Sequence, residues 1–291
     1  MTEFSKIKSE ILLDKGNLYI VSTPIGNLGD ITLRALETLD KIDCIICENI
    51  MITKKLLNKY NLKHKKMISY NDFNASQKRN GIIKNLLNKT FHFALVSDAG
   101  TPLISDPGFK LVEECIKKKI TVTHIPGPSA VISGLILSGI STDKFLFGGF
   151  LEKTSQKKEK QLFKFINLDV TTIWFESGNR LLKTLDTINK LMNNRRIAVL
   201  RELTKIHEEI LFGTTEEIIE LINLRLKLKG EFIIVISGFK NKKTDIKVLK
   251  KLILEDINKV NTKELSNKLS DKTRLPKNFI YNEIIKLKKN T

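Results

Sequence analysis

Asp98 and Asp106 flank a turn built from Gly100, Pro102, Pro107 and Gly108. Two carboxylates on such a loop could bind a metal ion or a ribose hydroxyl, although Asp beside Pro or Gly is also ordinary turn chemistry. The loop follows the apolar run Phe91 to Val96, which places Asp98 directly at a strand end. A second loop of small residues, Thr23-Pro24-Ile25-Gly26-Asn27-Leu28-Gly29-Asp30, follows the run Leu18 to Val21. Ligands in open α/β sheets bind at the carboxyl ends of strands, where unshared backbone amides are reachable and glycine lets a ligand approach closely. The two loops together read as the rim of an active site. Neither is a G-x-G-x-x-G turn, and the first lacks the lysine of a phosphate-binding P-loop. Farther along, Glu176 in Phe175-Glu176-Ser177-Gly178 and Glu202 in Arg201-Glu202-Leu203-Thr204-Lys205 stand at two more strand ends. They fit either a substrate contact or an exposed salt-bridge network. The histidines His64, His92, His124 and His207 have no metal-ligand spacing, and no serine-hydrolase elbow is present.

The elements that position these residues follow from the apolar pattern. Leu18 to Val21, Cys44 to Cys47, Phe91 to Val96 and Val122 to Ile125 are short, bounded by turn residues and separated by amphipathic stretches of helical length. That alternation predicts βα units and a mainly parallel sheet. Asp30 is placed to cap a helix starting near Thr32, with Leu33, Leu36, Leu39 and Ile42 at helical spacing. Ser129 opens another helix running to Ser138. A Gly-rich break at Gly148-Gly149 and the basic stretch Lys153 to Lys160 precede a second αβ series. That series has strands over 171–175, 197–200, 209–212 and 232–236, and helices over 179–192 and 215–228. After the charged run Lys240 to Lys243, three helical patterns (247–257, 262–269 and 277–288) form a small appendix, with Pro276 ending the loop before the last.

Composition narrows the class. A chain of 291 residues buries a substantial core without metal or disulfide staples. Its three cysteines include Cys44 and Cys47 of a C-x-x-C that reads as core strand rather than as a redox or zinc pair. Cysteine use fits a reducing cytosol. Met1 to Lys15 does not read as a signal peptide, and no stretch reads as a membrane span. The formal charge of +18 suits a polyanionic partner such as nucleic acid, although lysine is heavy throughout the chain.

Taken in order, Leu18 to Leu36, Ala94 to Gly108, Pro126 to Gly139, Phe175 to Leu182, Arg201 to Lys205 and Lys229 to Ile236 resemble one family closely. It is the bacterial small-subunit ribosomal RNA cytidine-2′-O-methyltransferase I family of the tetrapyrrole-methylase superfamily. The resemblance implies an α/β fold with two αβα domains, over 1–126 and 127–239, and a small C-terminal helical extension over 240–291. It also implies S-adenosylmethionine bound between the domains, a homodimer, cytoplasmic localisation, no membrane, and 16S rRNA or the small ribosomal subunit as partner. Carried over by position, the donor site comprises Pro24, Ser97, Asp98, Ala99, Gly100, Thr101, Leu103, Ser129, Ala130, Glu176, Leu203 and Gly230. No metal is implied. The expected product is a 2′-O-methylcytidine in the decoding region. Glu202 and Lys205 are the candidates for a general base and for a cation stabilising the developing alkoxide. Two other readings are a tetrapyrrole C-methyltransferase and a noncatalytic RNA-binding or ribosome-assembly protein.

The chain departs from the family at two places. Glu48-Asn49-Ile50-Met51 stands where Glu-Asp-Thr-Arg is usual. Tyr70-Asn71-Asp72-Phe73-Asn74-Ala75 stands where histidines precede Asn-Glu.

Overall fold

The computed structural model describes residues 16–62, 65–89, 91–193, 195–224, 229–239, 246–257, 259–273 and 277–289. The expectations for Met1 to Lys15, Lys240 to Lys243, Pro276 and the end of the helix over 225–228 lie outside them. The chain divides into two compact units, residues 1–166 with 170–237, and 167–169 with 238–291.

The first unit holds two five-stranded sheets. In the first sheet, β1 (Leu18–Val21), β2 (Cys44–Cys47), β3 (Lys66–Ser69), β4 (Phe93–Val96) and β5 (Val122–Ile125) lie in the order β3-β2-β4-β1-β5. Every pairing in it is parallel. Parallel strands are covered on both faces and so read as unbroken apolar runs. The period of two sends Leu18, Ile20, Cys44, Ile46, Phe93 and Leu95 into one cluster, and Tyr19, Val21, Ile45, Cys47, Ala94 and Val96 into the other. Cys44 and Cys47 therefore face opposite layers as free buried thiols, and burial pushes the Cys44 thiol up to about 11. The C-x-x-C is core, as its apolar context suggested.

Helices α1 (Leu33–Lys41), α2 (Ile50–Lys59), α3 (Ala75–Leu87) and α4 (Phe109–Lys117) connect these strands. The cap of α1 is Thr32, whose hydroxyl accepts from the Ala35 amide at 3.1 Å. Asp30 instead ends a short 3-10 turn capped by Asn27, which corrects its expected role. The buried face of α1 is Ala35, Thr38 and Leu39, while Leu33 is exposed. The short edge strand β3, partly exposed and begun by a lysine, carries too weak an apolar signal to be read from sequence.

The second sheet contains β6 (Phe145–Phe150), β7 (Thr171–Ser177), β8 (Arg196–Arg201), β9 (Glu209–Thr214) and β10 (Glu231–Ile236), in the order β6-β7-β10-β8-β9. Only β6–β7 is parallel; β7–β10, β10–β8 and β8–β9 are antiparallel. The expectation of a mainly parallel sheet thus holds for the first series, and the second αβ series forms a mostly antiparallel sheet. One face packs Trp174, Val199 and Ile234 against Leu181, Leu185, Ile188 and Ile218 of α7 (Gly178–Met192) and α8 (Thr215–Asn223). The other packs Ile173, Leu200 and Ile233 against Val131 and Leu135 of α5 (Ala130–Leu137).

The glycine pair that reads as a break lies inside β6. Its register shifts between Phe147 and Phe150, Gly149 has φ +73°, and a Cβ on Gly148 would fall 2.1 Å from the Trp174 ring. Glycine here marks a bulge and a close approach. We expect Gly148→Ala to destabilise the fold by about 3 kcal/mol, since the fully buried indole cannot move without repacking; chemical denaturation measures this.

The basic stretch also changes character. It forms α6 (Ser155–Phe163), and Lys158 within it is buried, with its ammonium on Thr184 Oγ1.

In the second unit α9 (Ile246–Asp256), α10 (Thr262–Thr273) and α11 (Lys277–Lys289) pack Leu249, Ile253, Leu265, Leu269, Ile280 and Ile284 into their own small core.

Candidate functional site

Three loops at the carboxyl ends of β1, β4 and β5 are stitched together by hydrogen bonds. Thr23 and Gly100 exchange both backbone bonds, at 2.9 and 3.0 Å. Thr23 Oγ1 donates to the Ser97 carbonyl at 3.2 Å, and Thr101 Oγ1 donates to the Pro128 carbonyl at 3.1 Å. Ser97 Oγ closes its own turn on the Ala99 and Gly100 carbonyls. The turn is backbone-strained: Gly100, Leu103, Ser105 and Gly108 all have positive φ, a pattern concentrated at functional sites.

These loops face the strand ends of the second sheet across a cleft of about 410 Å³, within the range of small-molecule and cofactor sites. Asp98, Ala99, Gly100, Thr101, Ser129, Ala130, Glu176, Leu203 and Gly230 line it. Pro24, Ser97 and Leu103 are not part of that lining; Ser97 is buried and its hydroxyl holds the turn, while Leu103 packs on the first sheet's core. Sequence reasoning left out Ile25, Phe150, Phe175, Leu200, Phe232 and Ile233, the apolar side of the cleft. Their signal, strand-end position, was present but indistinguishable from core.

Glu176 is fully buried, so the exposed-network reading does not describe it. Its carboxylate accepts from the Ser177 amide at 2.8 Å and from Thr184 Oγ1 at 2.6 Å, pairs with Arg180 at 2.5 Å, and lies 3.8 Å from Lys158. A charge this buried persists only when so partnered. Its side chain secures the corner of the cleft where β7 passes into α7.

Glu202 and Lys205 are not among the residues lining the cleft. Lys205 Nζ pairs with Glu202 at 3.1 Å and with Glu231 at 2.9 Å, and Glu202 Oε1 also accepts from the Glu231 amide at 2.9 Å. Burial would raise the Glu202 carboxyl, but the Glu231 amide and Lys205 outweigh it and hold the group below its ordinary value. Burial likewise lowers Lys205, and its two carboxylate partners outweigh that and raise it. Gly230, at φ +117°, leaves room for the pair, because a Cβ there would fall 2.8 Å from Glu202 Oε1.

The carboxylates of the first sheet behave oppositely. Asp106 lines the cleft, and burial, reinforced by Glu48 and Asp98, pushes it up to about 6 despite the Ser97 hydroxyl. Asp98 is raised by burial, against the Asn49 amide that donates to it at 3.1 Å. Glu48 is raised by burial, then by Asp98 and Asp72. Asn49 caps α2 through the Met51 amide at 2.9 Å, so the departure from Glu-Asp-Thr-Arg keeps the helix start. Among the described residues no group of three or more His, Cys, Asp or Glu is arranged to hold a metal ion.

The fold is shared with solved structures of low sequence identity. Cobalt precorrin-4 methyltransferase CbiF superposes with a TM-score of 0.56 at 14% identity, covering 78% of this chain and 98% of that one. Diphthine synthase superposes at 0.61 and 13%, covering 81% and 94%. The sequence profile of tetrapyrrole (corrin/porphyrin) methylases matches residues 17–219. Among sequence relatives, the ribosomal RNA small subunit methyltransferase I of Rickettsia prowazekii is 46% identical over 77% of this chain and 79% of its own length. That of Thermotoga maritima is 45% identical over 77% and 99%, and that of Buchnera aphidicola subsp. Schizaphis graminum is 41% identical over 94% and 93%. The two-sheet fold is that of the tetrapyrrole methylase class. The chain belongs to that family and, within it, to the ribosomal RNA small subunit methyltransferase I proteins.

Proposed function

We propose that this chain methylates the ribose 2′-hydroxyl of a cytidine in the decoding region of 16S rRNA. The carrying observation is the cleft of small residues at the strand ends, in a chain so similar to small subunit rRNA methyltransferases. Relatives at 41–46% identity carry the rRNA methyltransferase name, whereas cobalt precorrin-4 methyltransferase shares only 14% identity, which favours this reading over the tetrapyrrole alternative.

The lining suits S-adenosylmethionine as donor. Ala99, Gly100, Ser129 and Ala130 leave space, a Cβ on Gly100 would crowd Ile25 at 3.2 Å, and Leu200 and Ile233 offer apolar cover. Bound there, the donor supplies an electrophilic methyl group, which passes to the ribose oxygen as its bond to sulfur breaks. The protein's share is to align the acceptor, exclude water and take one proton. Ion-paired Glu202 is a poor proton acceptor, whereas Asp106 is desolvated, raised toward neutrality and on the cleft wall; we assign it the proton. Glu202 and Lys205 then brace Gly230 and Leu203. Pro24, Ser97 and Leu103 support the donor loops from behind.

We further propose that the divisions 1–126, 127–239 and 240–291 are the working domains, and that the protein acts as a cytoplasmic homodimer. Among the described residues no helix is long and apolar enough to cross a membrane.

The test is mass spectrometry of 16S rRNA nucleosides from cells with and without the gene. A 2′-O-methylcytidine should be lost on deletion and restored by the chain. Methylation on a base, or no change, refutes the reading.

A further inference from the structure

A second cavity, about 370 Å³ and open to solvent, adjoins the cleft and shares Asp98 with it. It lies over the carboxyl ends of β2, β3 and β4, lined by Glu48, Asn49, Ile50, Ser69, Asn71, Phe73 and Asp98. Its wall is polar except for Ile50 and one aromatic ring, and that ring, Phe73, is 96% exposed.

An aromatic so exposed is not there for the core, and its turn displays it. Asn71 Oδ1 accepts from the Phe73 and Asn74 amides at 3.2 Å, and Asn74 Oδ1 accepts from the Asn71 amide at 3.0 Å. The turn is locked on its own side chains, so Phe73 is held out without packing. Proteins that act on a nucleotide in RNA unstack it and receive the base on an aromatic face. A carboxylate beside such a ring accepts from the exocyclic amine of cytosine, and it repels the carbonyl that uracil presents at the same place. Among the described residues nothing donates to the Glu48 carboxylate, while Asp98 is engaged by the Asn49 amide.

We infer that this second cavity receives the unstacked cytosine of the acceptor nucleotide, with Phe73 as its stacking platform and Glu48 as the acceptor for its amine. The shared wall at Asp98 then brings the attached ribose to the donor cleft. The inference rests on the rRNA reading above and adds the residues that select the nucleotide.

Methyl transfer to small ribosomal subunits, with the target cytidine or with uridine in its place, tests it. Phe73→Ala should raise KM for the subunit about tenfold or more, with S-adenosylmethionine affinity unchanged, and Phe73→Trp should restore KM. Glu48→Gln should narrow the preference for cytidine over uridine at least tenfold. Methylation by the unaltered protein with wild-type KM in Phe73→Ala overturns the inference alone, as does undiminished cytidine preference in Glu48→Gln. No methylation by the unaltered protein overturns the rRNA reading and this inference together.

Discussion

Ser129→Arg should reduce affinity for S-adenosylmethionine by at least about 100-fold while the protein stays folded. Ser129 precedes α5 at its cap position, yet its hydroxyl makes no capping hydrogen bond, so replacing it removes no helix contact. The arginine instead enters the cleft opposite Phe175 and Ile233. It fills space that a donor needs, and it sets a permanent cation near a sulfonium, in surroundings where like charges repel more strongly than in water. The cost to the fold is that of a positive charge at a helix N-terminus, about 0.5–1 kcal/mol. Calorimetric titration and thermal unfolding on one preparation separate the two effects. Unchanged affinity would put the donor elsewhere. Gly100→Leu attacks the same wall less cleanly, because Gly100 has φ +79° and a side chain there adds backbone strain of about 1–3 kcal/mol.

What the sequence revealed about this site divides along physical lines. The cleft loops were legible because their demands are local: glycine at positive φ, proline in turns and small residues around open space. Strands β1 and β2 were legible to the residue, since both faces of a parallel sheet are covered at its centre and each strand reads as an unbroken apolar run. Strand β6 was not, because Gly148 answers to Trp174, a residue of a neighbouring strand that no local pattern connects to it. The antiparallel pairing of β7, β10, β8 and β9 was hidden for the same reason, since apolar runs carry no direction. Charge was least legible. Lys158 in a basic run is buried, and Glu202 and Lys205, the candidates for a general base and a stabilising cation, pair with each other and with Glu231. Asp106 shows the converse: its sequence context is an ordinary Asp-Pro turn, and only the folded cleft gives it a desolvated position beside Glu48 and Asp98.

Asp106→Asn should lower the turnover of methyl transfer by about 100-fold or more, with affinity for S-adenosylmethionine changed little, because an amide keeps the volume but cannot take the proton. The pH dependence gives the second signature. A base must be ionised to act, so in the unaltered protein activity should fall as the pH drops through about 6; in Asp106→Asn the small residual rate should lose that limb. Stability should move the opposite way from activity. Burial raises the Asp106 carboxyl above its ordinary value, so the fold favours the protonated form, and an ionisation penalty develops as the pH rises from about 4 to 6 and persists above. The asparagine variant escapes that penalty and should unfold at a higher temperature than the unaltered protein at pH 7.5, with the difference vanishing near pH 4. Loss of activity together with higher stability marks a carboxylate held against its own solvation for catalysis rather than for the fold. Retained turnover would pass the proton to another group, with Asp98, on the shared wall of the two cavities, first in line. Lower stability at pH 7.5 would instead make Asp106 a structural acceptor of the loop.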